Sequence, residues 1–306
     1  MKVGLIVPID DESLGHIPSY PELRDLSRQA EASGLDSIWV FDHLLFRFPG
    51  QPTTGIHECW TVLAALADAT ERVELGTLVM CTAFRGAALL AKMAAALDVI
   101  SEGRLILGLG TGWHEPEFAA FGYPFAERVG RFEDALTIIT GLLRDGQVDF
   151  HGRFETADDC VLLPRPTRRI PILVAARGPR MLRLAARHAD AWNTAWFGAP
   201  DERLAGRRAD LAAACAAVGR DPATLGVTVG VVVRYPDLLA GMVPETTPPG
   251  PSTPSLSGSA QDVAAGFHAH AEAGAGHLIV DLQPPTPAAL ERLADAVAVY
   301  RAGAGA

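Results

Sequence analysis

Residues 30–43 read AEASGLDSIWVFDH, and residues 271–281 read AEAGAGHLIVD. Both segments pass from the end of a helical pattern through glycine into a short apolar strand that ends at an aspartate. A strand of continuous apolar character is typical of a parallel sheet that is buried on both faces. The recurrence of the same order near both ends of the chain indicates a repeated strand–helix unit.

Similar strands alternate with helical patterns along the whole chain. Strands are predicted at residues 2–7, 37–41, 73–80, 104–109, 170–175, 190–194, 226–233 and 277–281. Helices are predicted between Ser19 and Gly34 and at residues 58–69, 87–100, 127–144, 180–188, 201–218 and 260–273. This alternation predicts an α/β fold, a single (β/α)8 TIM barrel. An open doubly wound sheet is the alternative, and the barrel is favoured because no change in composition divides the chain into halves.

Two segments fall outside the repeating pattern. Residues 146–163 are predicted to form a hairpin-like insertion, and residues 236–257 form a loop rich in proline, serine and threonine. Residues 1–8 predict a strand and not a signal peptide, because the apolar run is short and acidic residues follow it. The expected organisation is one barrel domain over residues 1–306 with these two insertions.

The composition narrows the classes of function. With 306 residues, 49% of them hydrophobic and 20% charged, the chain can bury a large core, which excludes a disordered protein. A net charge of −10 argues against nucleic acid and against an anionic membrane as main partners. No apolar run reaches the roughly 18 residues that a membrane span needs. The expected partner is a small-molecule substrate, and a homodimer is left open.

Cysteine and histidine spacings favour a cytoplasmic protein without a metal site. The four cysteines are far apart, as expected for reduced thiols and not for a disulfide framework or a zinc site. His114, Glu115 and Glu117 lie close together in sequence, but nothing pairs with them at a usual metal-ligand spacing.

Barrel enzymes carry their chemistry where the strands end, so these ends supply the candidate residues. The second strand ends in Asp42 and His43, and His43 is either a proton or hydrogen-bond donor over the barrel mouth or a surface histidine beside a capped loop. The fourth strand ends in Gly110-Thr111-Gly112. We interpret this segment as backbone that approaches a ligand, and not as a dinucleotide-binding motif, because Trp113 replaces the third glycine.

The fifth strand ends in Ala175-Ala176-Arg177-Gly178-Pro179, where a helix begins. Small residues and a helix N-terminus together form an anion-binding site, to which Arg177 adds charge-assisted hydrogen bonds. An ordinary turn with a solvated arginine is the alternative.

Taken together, these segments resemble the bacterial luciferase-like monooxygenase superfamily, and most closely its branch that depends on the deazaflavin coenzyme F420. The resemblance extends from Lys2 to about Leu282. It is carried by residues 34–43, 75–85, 103–117, 162–166, 181–193 and 273–281. The family implies a barrel with a flavin or deazaflavin lying across the carboxyl ends of the strands.

The resemblance also implies roles for individual residues. His43 matches the family's histidine near the reactive ring, with Asp42 beside it. The Leu78–Val79 bond matches a non-prolyl cis peptide that supports the ring. Gly110, Thr111 and Gly112 match the loop beside the ring, and Ala175 through Pro179 match the cradle for the cofactor phosphate.

Two positions depart from the F420-dependent pattern. Arg47 stands where some members have tryptophan, and Trp113 stands where they have glutamate, so oxidation of a sugar phosphate by that branch's mechanism is not implied. The leading hypothesis is hydride transfer between F420 and a small organic substrate, with Arg47, Arg85 or Arg177 meeting the anionic tail of F420. The alternatives are a monooxygenase that uses reduced FMN and oxygen, and a cofactor-binding barrel without catalysis.

Overall fold

The computed structural model describes residues 1–11, 14–239 and 253–303. The strands are β1 (Lys2–Ile6), β2 (Ser37–Val40), β3 (Leu45–Phe46), β4 (Thr54–Gly55), β5 (Glu74–Thr77), β6 (Met80–Cys81), β7 (Leu105–Gly110), β8 (Gln147–His151), β9 (Thr156–Val161), β10 (Ile172–Ala175), β11 (Ala191–Phe197), β12 (Gly226–Arg234) and β13 (His277–Gln283). The α-helices are α1 (Tyr20–Ala32), α2 (Cys59–Ala69), α3 (Ala87–Ile100), α4 (Glu115–Phe121), α5 (Arg128–Asp145), α6 (Gly178–His188), α7 (Glu202–Ala217), α8 (Pro236–Leu239), α9 (Ala260–Glu272) and α10 (Pro287–Gly303).

The main sheet is a closed parallel barrel. Its strands follow the order β1, β2, β5, β7, β10, β11, β12 and β13, and β6 continues the strand that β5 begins. Lys2 pairs with His277, and Ile172 pairs with Leu107, so the sheet has no open edge at these strands. Closure confirms the predicted TIM barrel and excludes the open doubly wound sheet.

Side chains alternate between the barrel lumen and the surrounding helices. On β13, Leu278 and Val280 belong to the large core beneath the helices, whereas Ile279 packs with Trp39 inside the lumen. Each barrel strand is therefore buried on both faces, which explains its continuous apolar sequence. The same alternation directs Asp281 of β13 into the lumen at its carboxyl-terminal end, here called the mouth.

Trp39 fills the lumen because neighbouring strands carry glycine. A Cβ atom on Gly76 would lie 2.0 Å from Cε3 of Trp39, and a Cβ on Gly4 would lie 2.7 Å from its Nε1. The indole Nε1–H donates to Ser37 Oγ at 2.7 Å, and Ser37 Oγ lies 2.7 Å from Nε2 of His277.

His277 is itself a buried titratable group. Its burial, followed by the charge of Lys2, lowers the pKa of its imidazole to about 4.

Several features differ from the sequence-based expectation. The apolar pattern does not predict α4 or α10, and the predicted third strand is interrupted between β5 and β6.

Within residues 146–163, the region expected as a hairpin-like insertion, β8 and β9 form a separate antiparallel pair. Most of the expected loop 236–257 lies outside the described residues. Among the helices that are described, none is long and apolar enough to cross a membrane.

Candidate active site at the barrel mouth

His43 and Glu117 form a partly buried hydrogen-bonded pair at the mouth. His43 follows β2, and Glu117 lies on α4, the short helix after β7. His43 Nδ1 lies 2.8 Å from Glu117 Oε1, and Leu44 N–H donates to Glu117 Oε2 at 2.8 Å. The Glu117 side chain is fully buried, whereas 14% of the His43 side chain is exposed. Glu117 therefore holds the orientation of an imidazole that still reaches solvent.

An aromatic cluster surrounds the exposed side of His43. The ring centroids of Phe46 and Trp113 lie 4.5 Å and 5.4 Å from that of His43. Trp113 is 57% exposed, so its ring offers an apolar surface at the mouth. Arg47 N–H donates to His114 Nε2 at 2.9 Å, and burial lowers the pKa of His114. The two positions that depart from the F420-dependent pattern, Arg47 and Trp113, thus both lie in this cluster.

Asp42 faces away from His43 and supports the interrupted third strand. Its Oδ2 accepts from Cys81 N–H at 2.9 Å and from Arg85 Nη1 at 2.7 Å. The Asp42 side chain is fully buried, and burial raises its pKa despite the opposing charge of Arg85. Arg85 also donates to Glu58, so its guanidinium is committed to two carboxylates. The expectation that Arg85 meets an anionic cofactor tail is not supported by this arrangement.

The Leu78–Val79 peptide bond is cis, as the resemblance implies. Leu78 and Val79 are partly buried and pack against the lumen cluster of Trp39. They form the floor of the mouth between β5 and β6. Whether this floor supports a cofactor ring remains a prediction.

Packing within the protein explains why glycine occurs at Gly110 and Gly112. A Cβ atom on Gly110 would lie 2.6 Å from Cγ2 of Val79, and one on Gly112 would lie 2.6 Å from Cζ of Phe118. Thr111 Oγ1 donates to the Gly112 carbonyl at 3.1 Å. Neighbouring side chains are therefore sufficient to require glycine at both positions, and the approach of this backbone to a ligand stays a prediction.

The segment from Ala175 to Pro179 joins β10 to α6 as predicted. Arg177, Gly178 and Pro179 are exposed, and Gly178 has a φ of +75° with open space around its Cβ position. The Ala176 carbonyl accepts from Trp192 Nε1 at 2.9 Å, which fixes the loop from below. Arg177 donates to the carbonyl of Ala195 on β11. The N-terminal turn of α6 is thus open to a ligand from the mouth.

A polar group on the opposite side of the mouth was not singled out from the sequence. Gln283 Nε2 donates to Asp281 Oδ2 at 2.8 Å, and Arg234 donates to Gln283 Oε1 through Nε at 3.0 Å and Nη2 at 2.8 Å. Burial, the largest effect, and the charge of Asp10 raise the pKa of Asp281 to about 6. The alternation of β13 is the signal that places Asp281 in the lumen.

One group of metal-ligand side chains occurs in the described part of the chain. Asp149, His151 and Asp158 lie together on the β8–β9 hairpin, and all three are exposed. The hairpin forms a two-stranded sheet of its own, separate from the barrel sheet.

The sequence matches known proteins over most of its length. A family model described as luciferase-like monooxygenase matches residues 1–237. An F420-dependent hydroxymycolic acid dehydrogenase of Mycobacterium tuberculosis is 35% identical over 206 residues, which cover 65% of this chain and 55% of that protein. An F420-dependent glucose-6-phosphate dehydrogenase of Amycolatopsis mediterranei is 35% identical over 55% of this chain and 51% of its own length.

A relative of another type matches almost as well. Pyrimidine monooxygenase RutA of Methylorubrum extorquens is 32% identical over 62% of this chain and 56% of its own length. The chain thus spans about half the length of the curated relatives it matches.

Solved structures reproduce the fold over the whole chain. An F420-dependent secondary alcohol dehydrogenase in complex with an F420-acetone adduct superposes with a TM-score of 0.80 and 19% identity, covering 98% of this chain and 99% of that one. A riboflavin lyase with modified FMN gives a TM-score of 0.81 at 16% identity, covering 99% and 92%. Such low identities show a shared fold alone. The family match, in contrast, covers well over half of the sequence, and the chain therefore belongs to the luciferase-like monooxygenase family.

Proposed function

We propose that this protein is an oxidoreductase that transfers a hydride between coenzyme F420 and a small organic substrate. The hydrogen-bonded pair of His43 and Glu117 at the mouth carries the proposal, because it provides an oriented proton donor or acceptor beside the floor at Leu78–Val79. The F420-dependent dehydrogenases among the relatives support the choice of cofactor.

The residues present fit a deazaflavin with a phosphate-bearing side chain. The exposed N-terminal turn of α6 at Gly178 has room for a phosphate, since free N–H groups and the helix dipole favour an anion there. Leu78 and Val79 would support the ring, with Gly110 through Gly112 and the supporting carboxylate of Asp42 close by. When bound, F420 supplies or accepts the hydride, which is chemistry that no side chain can provide.

The protein's part in catalysis is proton handling and orientation. With Glu117 as a carboxylate, His43 Nδ1 carries the hydrogen and donates it to Glu117 Oε1, so Nε2 is the nitrogen left for the substrate. In the direction of alcohol oxidation, His43 Nε2 accepts the hydroxyl proton as the hydride leaves the carbon. In the direction of carbonyl reduction, the protonated Nε2 donates to the forming alkoxide.

Cofactor binding tests the proposal directly. Purified protein is titrated with F420 and, separately, with FMN, and binding is followed by fluorescence. We expect F420 to bind more tightly. Tight binding of FMN with weak binding of F420 would favour the monooxygenase alternative. The similarity to pyrimidine monooxygenase RutA supports that alternative. Binding of neither cofactor would refute both, and F420 binding without turnover of any substrate would favour the non-catalytic barrel.

We further propose one barrel domain over residues 1–306, working in the cytoplasm, as a homodimer. The free thiols of Cys59, Cys81, Cys160 and Cys215 support a reducing compartment. The outer face of α3, where Leu89, Val99 and Ile100 are each more than half exposed, supports a second copy as the partner. The molar mass in solution, measured by light scattering, tests the dimer.

A further inference from the structure

The lumen changes character from apolar to charged near the mouth. Below the mouth, Ile279 packs with Trp39 in an apolar cluster. The next residues of β13 that face the lumen are Asp281 and then Gln283, since every second residue of a strand lies on the same face. On the adjacent strand β12, Arg234 pairs in register with Gln283. A built polar surface therefore replaces the apolar filling at the depth where a substrate would rest.

Hydrogen bonds link the three polar side chains of this surface in a fixed order. Arg234 directs two N–H donors to Gln283 Oε1, and Gln283 in turn donates to Asp281 Oδ2. The glutamine thus separates the guanidinium from the carboxylate. Asp281 is the last member of this chain of hydrogen bonds, and its carboxylate has a second acceptor oxygen, Oδ1.

The charges around Asp281 are unfavourable for an anion. Asp10, on the segment after β1, is 5% exposed and lies close enough that its charge raises the pKa of Asp281. The carboxylates of Asp10 and Asp281 therefore lie near one another on this side of the mouth. A phosphate or carboxylate placed here would be repelled by like charges in a poorly solvated site, whereas a hydroxyl group would find an acceptor.

We infer that Asp281 selects an uncharged, hydroxyl-bearing substrate over a phosphate- or carboxylate-bearing one. This inference rests on the proposed function, because it assigns the substrate class of the same mouth. Asp281 accepts the hydrogen of a substrate hydroxyl that lies away from the reacting carbon, while the aromatic cluster around Trp113 covers apolar parts. The chain would then differ in specificity from those of its relatives that are named for glucose 6-phosphate.

The test compares matched probes on the F420-loaded protein. Glycerol is compared with glycerol 3-phosphate, and glucose with glucose 6-phosphate, with dissociation constants measured by calorimetry and by saturation-transfer NMR. Asp281→Asn is the test variant, since its amide N–H₂ presents a donor where the carboxylate presents an acceptor. Asp210→Asn removes the same charge from an exposed position of α7 and is the matched control.

We expect the wild type and Asp210→Asn to bind the uncharged member of each pair about tenfold more tightly or better. Asp281→Asn should weaken that binding roughly 10- to 100-fold, the range for a hydrogen bond to a charged group, and should reduce or reverse the preference. The inference is overturned if the phosphate esters bind wild type as tightly, if no uncharged probe binds, or if folded Asp281→Asn keeps the wild-type preference.

A separate titration with F420 distinguishes this failure from failure of the proposed function. If F420 does not bind, the proposed function is wrong, and the same probe pairs are compared on the protein without cofactor. If F420 binds and the preference for uncharged probes is absent, only the assignment of Asp281 is wrong.

Discussion

His43 Nδ1 lies 2.8 Å from Glu117 Oε1, although the two residues are separated by 74 positions in the sequence. The contact joins the end of β2 to the helix that follows β7, across the intervening third barrel strand. It leaves Nε2 of the imidazole for a ligand and fixes the plane of the ring. Two residues that are distant in sequence thus form one hydrogen-bonded unit after strands β2 and β7.

We expect His43→Ala to lower turnover by roughly 100-fold to 10,000-fold, the usual range for a positioned acid or base. Cofactor affinity should change far less, because the proposed role of the imidazole is at the reacting atoms and not at the cofactor phosphate. His43→Asn should recover part of the activity if orientation is the main role, and little if proton transfer is. Steady-state rates and F420 titrations of both variants provide the measurement. Turnover near that of wild type in His43→Ala would make His43 a structural residue.

Two substitutions of Glu117 distinguish its role in orienting His43 from its contribution to the stability of the protein. Glu117→Gln keeps an oxygen for one donor but loses the charge, so we expect turnover to fall while the free energy of unfolding changes by about 1 kcal/mol or less. Glu117→Ala leaves the Leu44 N–H, which is in a partly buried hydrogen bond, without its partner, and this costs up to about 1–3 kcal/mol. Urea unfolding and steady-state kinetics of both variants check this. Equal turnover in wild type and Glu117→Gln would show that the pair only stabilises the loop after β2.

The sequence predicts the barrel well because each strand carries its own evidence. Burial on two faces makes a strand continuously apolar whatever its neighbours are, so the eight strands are recognisable one by one. The partner of His43 is not recognisable in this way. Glu117 lies on a helix of seven residues, and its role depends on a contact between distant segments that no local pattern encodes.

The roles of the residues that follow each strand are also difficult to predict from the sequence. Asp42 and His43 are adjacent in the segment that follows β2, yet Asp42 contacts Arg85 and His43 contacts Glu117. The sequence identifies both as candidates but does not separate their roles. Asp281 ends the second of the two segments that reveal the fold, yet its place in the mouth follows only from the strand register.

Gly178 provides a test of the phosphate cradle with an unusually well-matched control. Gly178 and Gly219 have φ values of +75° and +71°, and neither would bring a Cβ atom within 4 Å of another atom. Leucine at either site therefore incurs a similar backbone strain of roughly 1–2 kcal/mol. Only Gly178 lies at the N-terminus of α6.

We expect Gly178→Leu to weaken F420 binding by about tenfold or more, because the side chain occupies the space above the free N–H groups. Gly219→Leu should bind F420 as wild type does, while both variants lose similar stability. Fluorescence titration and thermal unfolding give the two measurements. Wild-type affinity in folded Gly178→Leu would remove the cradle from this loop.

The stability of the protein between pH 4 and pH 6.5 should reflect two buried groups with opposite effects. His277 has a pKa of about 4 when folded and about 6.5 when unfolded, so the unfolded chain binds more protons in this window and stability rises with pH. Asp281 has a pKa of about 6 when folded and 3.8 when unfolded, so here the folded chain binds more protons and stability falls as pH rises. The two slopes offset each other in the wild type.

Asp281→Asn removes the second effect and leaves the first. We expect the variant to be more stable than wild type at pH 7, by up to about 3 kcal/mol, because a shift of one pKa unit corresponds to about 1.4 kcal/mol. Its stability should fall more steeply than that of wild type as the pH is lowered from 6.5 towards 4. Urea unfolding of wild type, Asp281→Asn and Asp210→Asn at several pH values tests this. Parallel curves for all three proteins would show that Asp281 is not held in a poorly solvated mouth, and would weaken its assignment to substrate selection as well.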